Sequence, residues 1–208
     1  MIDGGNKETK AEALKWGPIQ LLPGVGRGNM TVYVLGFVFT MLFSTFVPQA
    51  QPFILTEVLQ IPQSAQGEIS GYLGFAATLM GLLLSGVWGT LSDKTGRRTV
   101  YAMGLILSAV GIFIFPLAGT VILLYLARMV FAAGSNASNT MSNALLADYI
   151  DNKDRGKAFW ISASFCVLGG LLTVFFFLML PGMLERSGLS TINAGRYTYW
   201  IVAGLSLI

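Results

Sequence analysis

The sequence of 208 residues contains no histidine and a single cysteine, Cys166. The missing histidine removes the commonest metal ligand and general base, and one cysteine forms neither a disulfide framework nor a thiolate metal site. The sequence also lacks a glycine-rich phosphate-binding loop that ends in Lys-Ser or Lys-Thr, which argues against ATP hydrolysis. We therefore predict a protein that is not an enzyme and that uses no metal and no cofactor.

Charged residues are scarce as well: they make up 11% of the chain, whereas 54% of the residues are hydrophobic. Soluble domains carry roughly 25% charged residues, so this composition is typical of a protein whose partner is the lipid bilayer. The net charge of +3 does not indicate nucleic-acid binding, because the cations are scattered between apolar runs and form no single basic face.

Long apolar runs dominate the chain, and a helix needs roughly 20 apolar residues to cross a bilayer core of about 30 Å. The sequence predicts spans at about residues 31–50, 69–88, 99–117, 121–146 and 158–180, with a sixth run at 197–208. Pro48 and Pro52 leave two alternatives for the first span, a helix that ends near Pro48 or one that continues to Leu59. The sixth run is about 18 Å long as a helix, too short to cross, and we expect that the chain is cut within this helix.

The cations are distributed unevenly between the two sides of the predicted spans. Four lie before span 1, three between spans 2 and 3, and three between spans 4 and 5, whereas the opposite side holds Arg186 and Arg196. Cytoplasmic loops carry the excess of Lys and Arg. We therefore predict a cytoplasmic N-terminal tail at residues 1–29, which has no signal-peptide core, and a transmembrane bundle at 30–208 in the plasma (inner) membrane.

The segment GTLSDKTGRR, residues 89–98, separates spans 2 and 3 with a cluster of charges. We interpret it as a short cytoplasmic turn, in which Gly89 and Gly96 allow close backbone approach. Asp93 precedes Arg97 by four residues, a spacing at which opposite charges can meet on one helical turn. A simple positive anchor for the membrane is the alternative interpretation.

The pattern GxLSDKxGRR in this segment resembles the signature loop of the major facilitator superfamily, which that family places between its second and third helices on the cytoplasmic side. The resemblance implies an all-α integral membrane fold, the six-helix N-terminal bundle of a twelve-helix transporter with its sixth helix incomplete. It implies transport of a small-molecule substrate by alternating access, as a symporter or antiporter, with the missing C-terminal half of the same protein as partner. It also implies that Asp93 is a gate acid with Arg97 and Arg98 as charge partners.

The segment between spans 4 and 5 is rich in both signs of charge. Its run DRGKA, residues 154–158, resembles the family's loop between helices 4 and 5. The resemblance implies that Asp148 and Arg155 join the gate around Asp93. A solvated loop without a role in gating is the alternative.

Span 4 is the least apolar of the predicted spans, and it contains a charged residue, Arg128. An arginine at the bilayer centre costs roughly 2.5–3.5 kcal/mol on insertion scales, so its side chain should face water, a partner or a substrate. Helical spacing puts further polar residues on the same face or beside it. With Arg128, these candidates for a substrate or proton pathway are Ser135, Asn136, Asn139 and Asn143.

The same resemblance implies that helices 1 and 4 line a central cavity, and we add Gln49 of span 1 to the candidates on that basis. It also relates Arg128 to a family motif linked to proton coupling, although the glycine expected four residues later is Ala132 here. Interhelical hydrogen bonding is the alternative role for this polar face. Spans 1 and 5 hold no mid-membrane carboxylate, and Phe165-Cys166 stands where the family's antiporter signature has Gly-Pro.

Two other functions remain compatible with these residues. One is a membrane sensor or assembly protein that uses the same scaffold without transport. The other is a half-size protein that works as a dimer.

Overall fold

The apolar runs form helices because backbone N–H and C=O groups in lipid must be satisfied within the segment itself. The computed structural model describes residues 14–207, and this part of the chain contains five helices long and apolar enough to cross a membrane. The predicted all-α bundle is confirmed, with the addition of one two-stranded hairpin. The elements are β1 (Lys15–Trp16), β2 (Ile19–Gln20), α1 (Arg27–Phe53), α2 (Gln63–Thr95), α3 (Arg97–Ile114), α4 (Val121–Tyr149), α5 (Arg155–Leu172), α6 (Leu180–Arg186) and α7 (Thr191–Leu205).

The first span is longer than residues 31–50. Its helix α1 continues to Phe53 and contains both prolines. After Pro52 the helix continues as a π-helical turn, Ile54–Val58. The wider turn keeps the backbone paired: the N–H of Leu59 donates to the carbonyl of Ile54 at 3.0 Å. Neighbouring turns of this kind are how membrane helices accommodate the hydrogen bond that a proline removes.

The segment at residues 89–98 is mostly helix, which corrects the predicted turn. The second helix extends to Thr95, and the chain changes direction at Gly96, whose φ of 90° is a left-handed value that favours glycine. Gly89 lies within the helix, and a Cβ added there would meet nothing within 4 Å. The predicted turn was wrong because the polar residues mark where the apolar run ends, whereas the helix continues beyond that point.

The third and fourth helices pack with their backbones in close contact, which small residues make possible. A Cβ added to Gly111 would lie 2.6 Å from the backbone of Phe131, and one added to Gly134 would lie 2.7 Å from the carbonyl oxygen of Gly104. Two glycines of α2 differ in this respect. A Cβ added to Gly81 would lie 2.9 Å from the Nδ2 of Asn136 on α4, whereas one added to Gly89 would meet nothing within 4 Å.

An aromatic cluster joins α7 to the remainder of the bundle. The ring of Tyr199, a side chain that is 1% exposed, lies 4.9 Å from the ring of Phe46 and 5.6 Å from that of Phe115, centroid to centroid. These contacts connect α7 to α1 and to the end of α3. The sixth apolar run thus forms a packed helix, and this helix begins at Thr191.

Part of the predicted polar tail is docked against the helices. We call the end of the bundle that holds Gly96, the segment 148–155 and the β1–β2 hairpin the basic end. The hairpin buries Ile19 and Leu21, which are 0% and 1% exposed, in a cluster with apolar residues of α1, α4 and α5. The N–H of Leu22 donates to the carbonyl of Tyr149 at 3.0 Å. The hairpin therefore belongs to the packed body of the protein.

The α3–α4 contact predicts a position-specific effect of adding a methyl group. Overpacking a close-packed site costs typically about 1–3 kcal/mol, so Gly134→Ala should lower the free energy of unfolding by that amount. Gly86→Ala in α2 is the matched control, because a Cβ at Gly86 meets nothing within 4 Å and alanine favours the helix by about 1 kcal/mol. Unfolding in detergent micelles, followed by circular dichroism, measures both, and equal stability of the two variants would contradict the close contact.

Candidate functional site

The polar face of α4 lines a cavity of about 660 Å³ together with α1 and α2. We call it the Arg128 cavity. Its volume falls in the range of about 300–1,000 Å³ that is common for small-molecule sites. Four predicted candidates meet there, and they are Arg128, Ser135, Asn136 and Asn139. The helical spacing brings them together, because they project from successive turns of one helix.

The remaining wall of the Arg128 cavity comes from small and hydroxyl residues that the prediction did not include. Helix α1 contributes Ser44 and Pro48, and α2 contributes a series that includes Gly74, Thr78 and Gly81. The spacings of four and three residues in that α2 series are those of one helical face. The signal was therefore present in the sequence, although it was weaker than a charged residue in an apolar run.

Arg128 is buried in this wall, with 8% of the residue exposed. Its Nε and Nη1 atoms have no hydrogen-bond partner among residues 14–207, and neither of the two ion pairs found in that range includes it. Its guanidinium carbon lies 5.5 Å from the centroid of the Phe131 ring on the same helix. The cavity thus contains a positive charge that no carboxylate of the described residues compensates.

Two amides of the cavity wall are also incompletely paired. The Nδ2 of Asn139 donates to the hydroxyl of Ser44 at 3.4 Å, and the Nδ2 of Asn136 lies where a Cβ on Gly81 would be only 2.9 Å away. The Oδ1 atoms of both asparagines are buried and accept no hydrogen bond from the described residues. Because buried polar atoms are usually paired, these oxygens are acceptors available to a ligand or water.

Two predicted candidates lie outside the Arg128 cavity. Gln49 lines a separate cavity of about 180 Å³ beside Phe53 and Tyr199, because it follows Ser44 by five residues and is rotated by about 140° around the helix. Asn143 lines another cavity, of about 250 Å³, near Arg155. It is one turn beyond Asn139, and its neighbours in that cavity belong to α4 and to the start of α5, among them Ala147 and Ala158.

Charged residues of the predicted gate meet at the basic end. Arg97 Nε and Asp148 Oδ2 form an ion pair at 3.0 Å, which joins the start of α3 to the end of α4. Beside it, Arg98 Nη2 donates to the hydroxyl of Tyr149 at 3.2 Å. Asp93 is exposed and has no ion pair among the described residues. The expected pairing of Asp93 with Arg97 is therefore wrong, because Gly96 separates the two residues into different helices.

The start of α5 is tied to the hairpin by a residue that the prediction missed. Asp154 Oδ2 accepts a hydrogen bond from the backbone N–H of Gln20 at 2.9 Å, and its Oδ1 pairs with Lys157 Nζ at 2.7 Å. Arg155 donates from Nη2 to the carbonyl of Ala147 at 3.3 Å. The basic end is thus one network that includes α3, α4, α5 and the hairpin.

Spanning-length helices around a polar cavity define an integral, multi-pass membrane protein. The sequence model of the Major Facilitator Superfamily matches residues 32–208, and the chain belongs to that family. The resemblance in residues 89–98 is confirmed by this match, which includes that segment and most of α1 as well as the later long helices.

Several known proteins are similar to this chain. Magnetosome protein MamH of Paramagnetospirillum magneticum is 26% identical over 163 residues, which cover 74% of this chain and 38% of that protein. The chromaffin granule amine transporter of Rattus norvegicus is 31% identical over 103 residues, which cover 49% of this chain and 20% of that protein. The xylose transporter XylE from E. coli, in its inward-open conformation, has the same fold with a TM-score of 0.62 at 18% identity, over 86% of this chain and 46% of that one. The chain spans less than half the length of these relatives.

The ion pair at the basic end predicts a small, specific coupling energy. The side chains of Arg97 and Asp148 are 36% and 45% exposed, and exposed pairs contribute about 0.2–1 kcal/mol. A double-mutant cycle with Arg97→Gln and Asp148→Asn, measured by reversible unfolding in mixed micelles, should give a coupling in that range. The matched cycle with Arg97→Gln and Asp93→Asn should give a coupling near zero. A coupling of Arg97 with Asp93 as large as the one expected for Asp148 would contradict Asp148 as its partner.

Proposed function

We propose that this chain forms part of a secondary transporter that moves a small polar solute by alternating access, with the Arg128 cavity as its substrate or proton pathway. The observation that carries the proposal is the buried, unpartnered guanidinium of Arg128 in a cavity of about 660 Å³. A charge in a membrane segment is expensive and is retained where it has a functional role. The transporters among the relatives support the same assignment.

A second helical bundle completes the cavity in this proposal. The walls of the cavity come from α1, α2 and α4, and the helices beside it are poorly covered. In an apolar 18-residue stretch of each span, 11% of the residues are buried in α2 and 17% in the span Asn152–Arg186 that contains α5, compared with 50% in α4. We propose that α2 and α5 face the C-terminal half of a longer protein. A second copy of this chain, in a half-size transporter, is the alternative.

The basic end acts as the cytoplasmic gate in this proposal. Its members are the predicted gate residues Gly89, Asp93, Gly96, Arg97, Arg98, Asp148 and Arg155. The network of α3, α4 and α5 forms a fixed platform, whereas the exposed carboxylate of Asp93 is available to the second bundle. Formation and loss of that contact would bias the two states of an alternating-access cycle. The excess of cations at this end supports a cytoplasmic location, and we propose the plasma membrane as the site of the protein.

A second candidate function is a sensor or assembly role on the same scaffold. The match with magnetosome protein MamH covers 74% of this chain, and the name of that protein states no transport activity. An assembly role predicts that changes in the polar face of α4 reduce the amount of folded protein. A transport role predicts that they reduce flux at a normal amount of protein.

Substitution of Arg128 distinguishes these two functions. In proteoliposomes of the complete protein, we expect Arg128→Gln to reduce uptake at least tenfold, measured with whichever of xylose, a monoamine and gluconate the unmodified protein accumulates. Arg186→Gln is the matched control, because it removes the same charge from an exposed position at the end of α6. Loss of folded protein in the Arg128 variant, with normal uptake per molecule, would favour the assembly role.

The half-molecule proposal makes a separate prediction. The purified 208-residue chain, reconstituted as a monomer, should show no uptake of xylose, monoamine or gluconate above that of empty liposomes, because one bundle cannot close the cavity on both sides. Crosslinking in the membrane identifies any dimer in the same preparation. Robust uptake by the monomeric chain would contradict the requirement for a second bundle.

A further inference from the structure

The helices that line the Arg128 cavity bring one positive charge and no negative charge into the membrane. Residues 28–53 of α1, 69–92 of α2 and 121–147 of α4 contain no aspartate or glutamate, and Arg128 is the charged residue among them. Arginine stays protonated in proteins. The cavity wall therefore carries a permanent charge of one sign.

The guanidinium donors of Arg128 are suited to an oxyanion. Arg128 is 8% exposed, and its Nε and Nη1 atoms are buried and have no hydrogen-bond partner among the described residues. A guanidinium offers donors in a fixed fork that binds carboxylate or phosphate groups through two parallel hydrogen bonds. A buried charge without a partner is unfavourable, so a bound anion would remove this penalty.

The other end of the cavity offers unpartnered acceptors. The unpartnered Oδ1 atoms belong to Asn136 and Asn139. Along the axis of α4, the backbones of these residues lie about 12 and 16 Å from the backbone of Arg128, at 1.5 Å per residue. Amide oxygens accept hydrogen bonds from hydroxyl or amine groups. A ligand that satisfies both ends has a negative group at one end and hydroxyl groups along its body.

We infer that the Arg128 cavity binds a hydroxylated organic anion of the sugar-acid or hydroxy-acid class, with its acidic group on Arg128 and its hydroxyl groups towards Asn136 and Asn139. The inference rests on the proposed transport function, because it names the substrate class of the same cavity. It also predicts how binding depends on the charge of the ligand. A neutral polyol lacks the group that Arg128 binds, and a protonated amine is repelled by the guanidinium, so the anion should bind most tightly.

Three compounds with the same six-carbon, open-chain skeleton and different charge test this inference, namely gluconate, sorbitol and glucamine. Binding to the complete protein in lipid nanodiscs is measured by isothermal titration calorimetry. We expect gluconate to bind at least tenfold more tightly than sorbitol, and glucamine to bind most weakly. Hexanoate, which has the charge without the hydroxyl groups, should bind more weakly than gluconate.

Variants connect the preference to the named atoms. Arg128→Gln should abolish the preference for gluconate over sorbitol, whereas the control Arg186→Gln should retain it. Removal of an unpaired buried charge should leave the melting temperature of the Arg128 variant unchanged or higher, so that a lost preference does not reflect unfolding. A marked fall in melting temperature would instead assign Arg128 a structural role and overturn the inference.

The remaining outcomes also decide between the two proposals. Glucamine binding as tightly as gluconate, or failure of every anion to bind, would overturn the anion inference. If the proteoliposomes then accumulate xylose or a monoamine, the transport proposal stands without it. If gluconate binds in nanodiscs and no member of the panel is transported, the anion site stands and the transport proposal fails.

Discussion

The close contact of α3 and α4 is the constraint on which the cavity depends. Glycines at 104, 111 and 134 bring the two backbones together without space for a side chain, so α4 has one rotation that fits. That rotation turns Arg128 and Asn139 away from α3 and towards α1 and α2. The small residues of α2 then leave an open volume where larger side chains would pack. The polar site thus follows from packing on the opposite side of the same helix.

The second consequence of this packing is electrostatic. A membrane helix can satisfy a polar side chain against its own backbone, and Ser138 of α4 does so by donating to the carbonyl of Gly134 one turn earlier. The cavity side of α4 is different, since the guanidinium of Arg128 and two amide oxygens have no partner among the described residues. The cavity side of α4 therefore holds polar groups that are available to a ligand or water.

Composition and spacing predicted the bundle and the core of the site, because lipid enforces helices and a charged residue in an apolar run identifies a polar face. Other features depend on contacts that the sequence does not state. Hydropathy marks the edge of the lipid, so it did not reveal that α2 continues to Thr95. The rotation of α1 excludes Gln49 from the cavity, and neighbouring helices determine that rotation. The partner of Arg97 is Asp148, which is 51 residues away in the sequence and comes close through α3–α4 packing.

The docked hairpin has a consequence for the order of events during synthesis. The hydrogen bond between Gln20 and Asp154 connects positions 134 residues apart, and the apolar cluster around Ile19 needs Leu146 and Ala158 as well. None of these partners exists when the first helix leaves the ribosome. The N-terminal segment therefore stays undocked while the four helices α1 to α4 enter the bilayer. It can dock only after the α4–α5 corner has reached its final position.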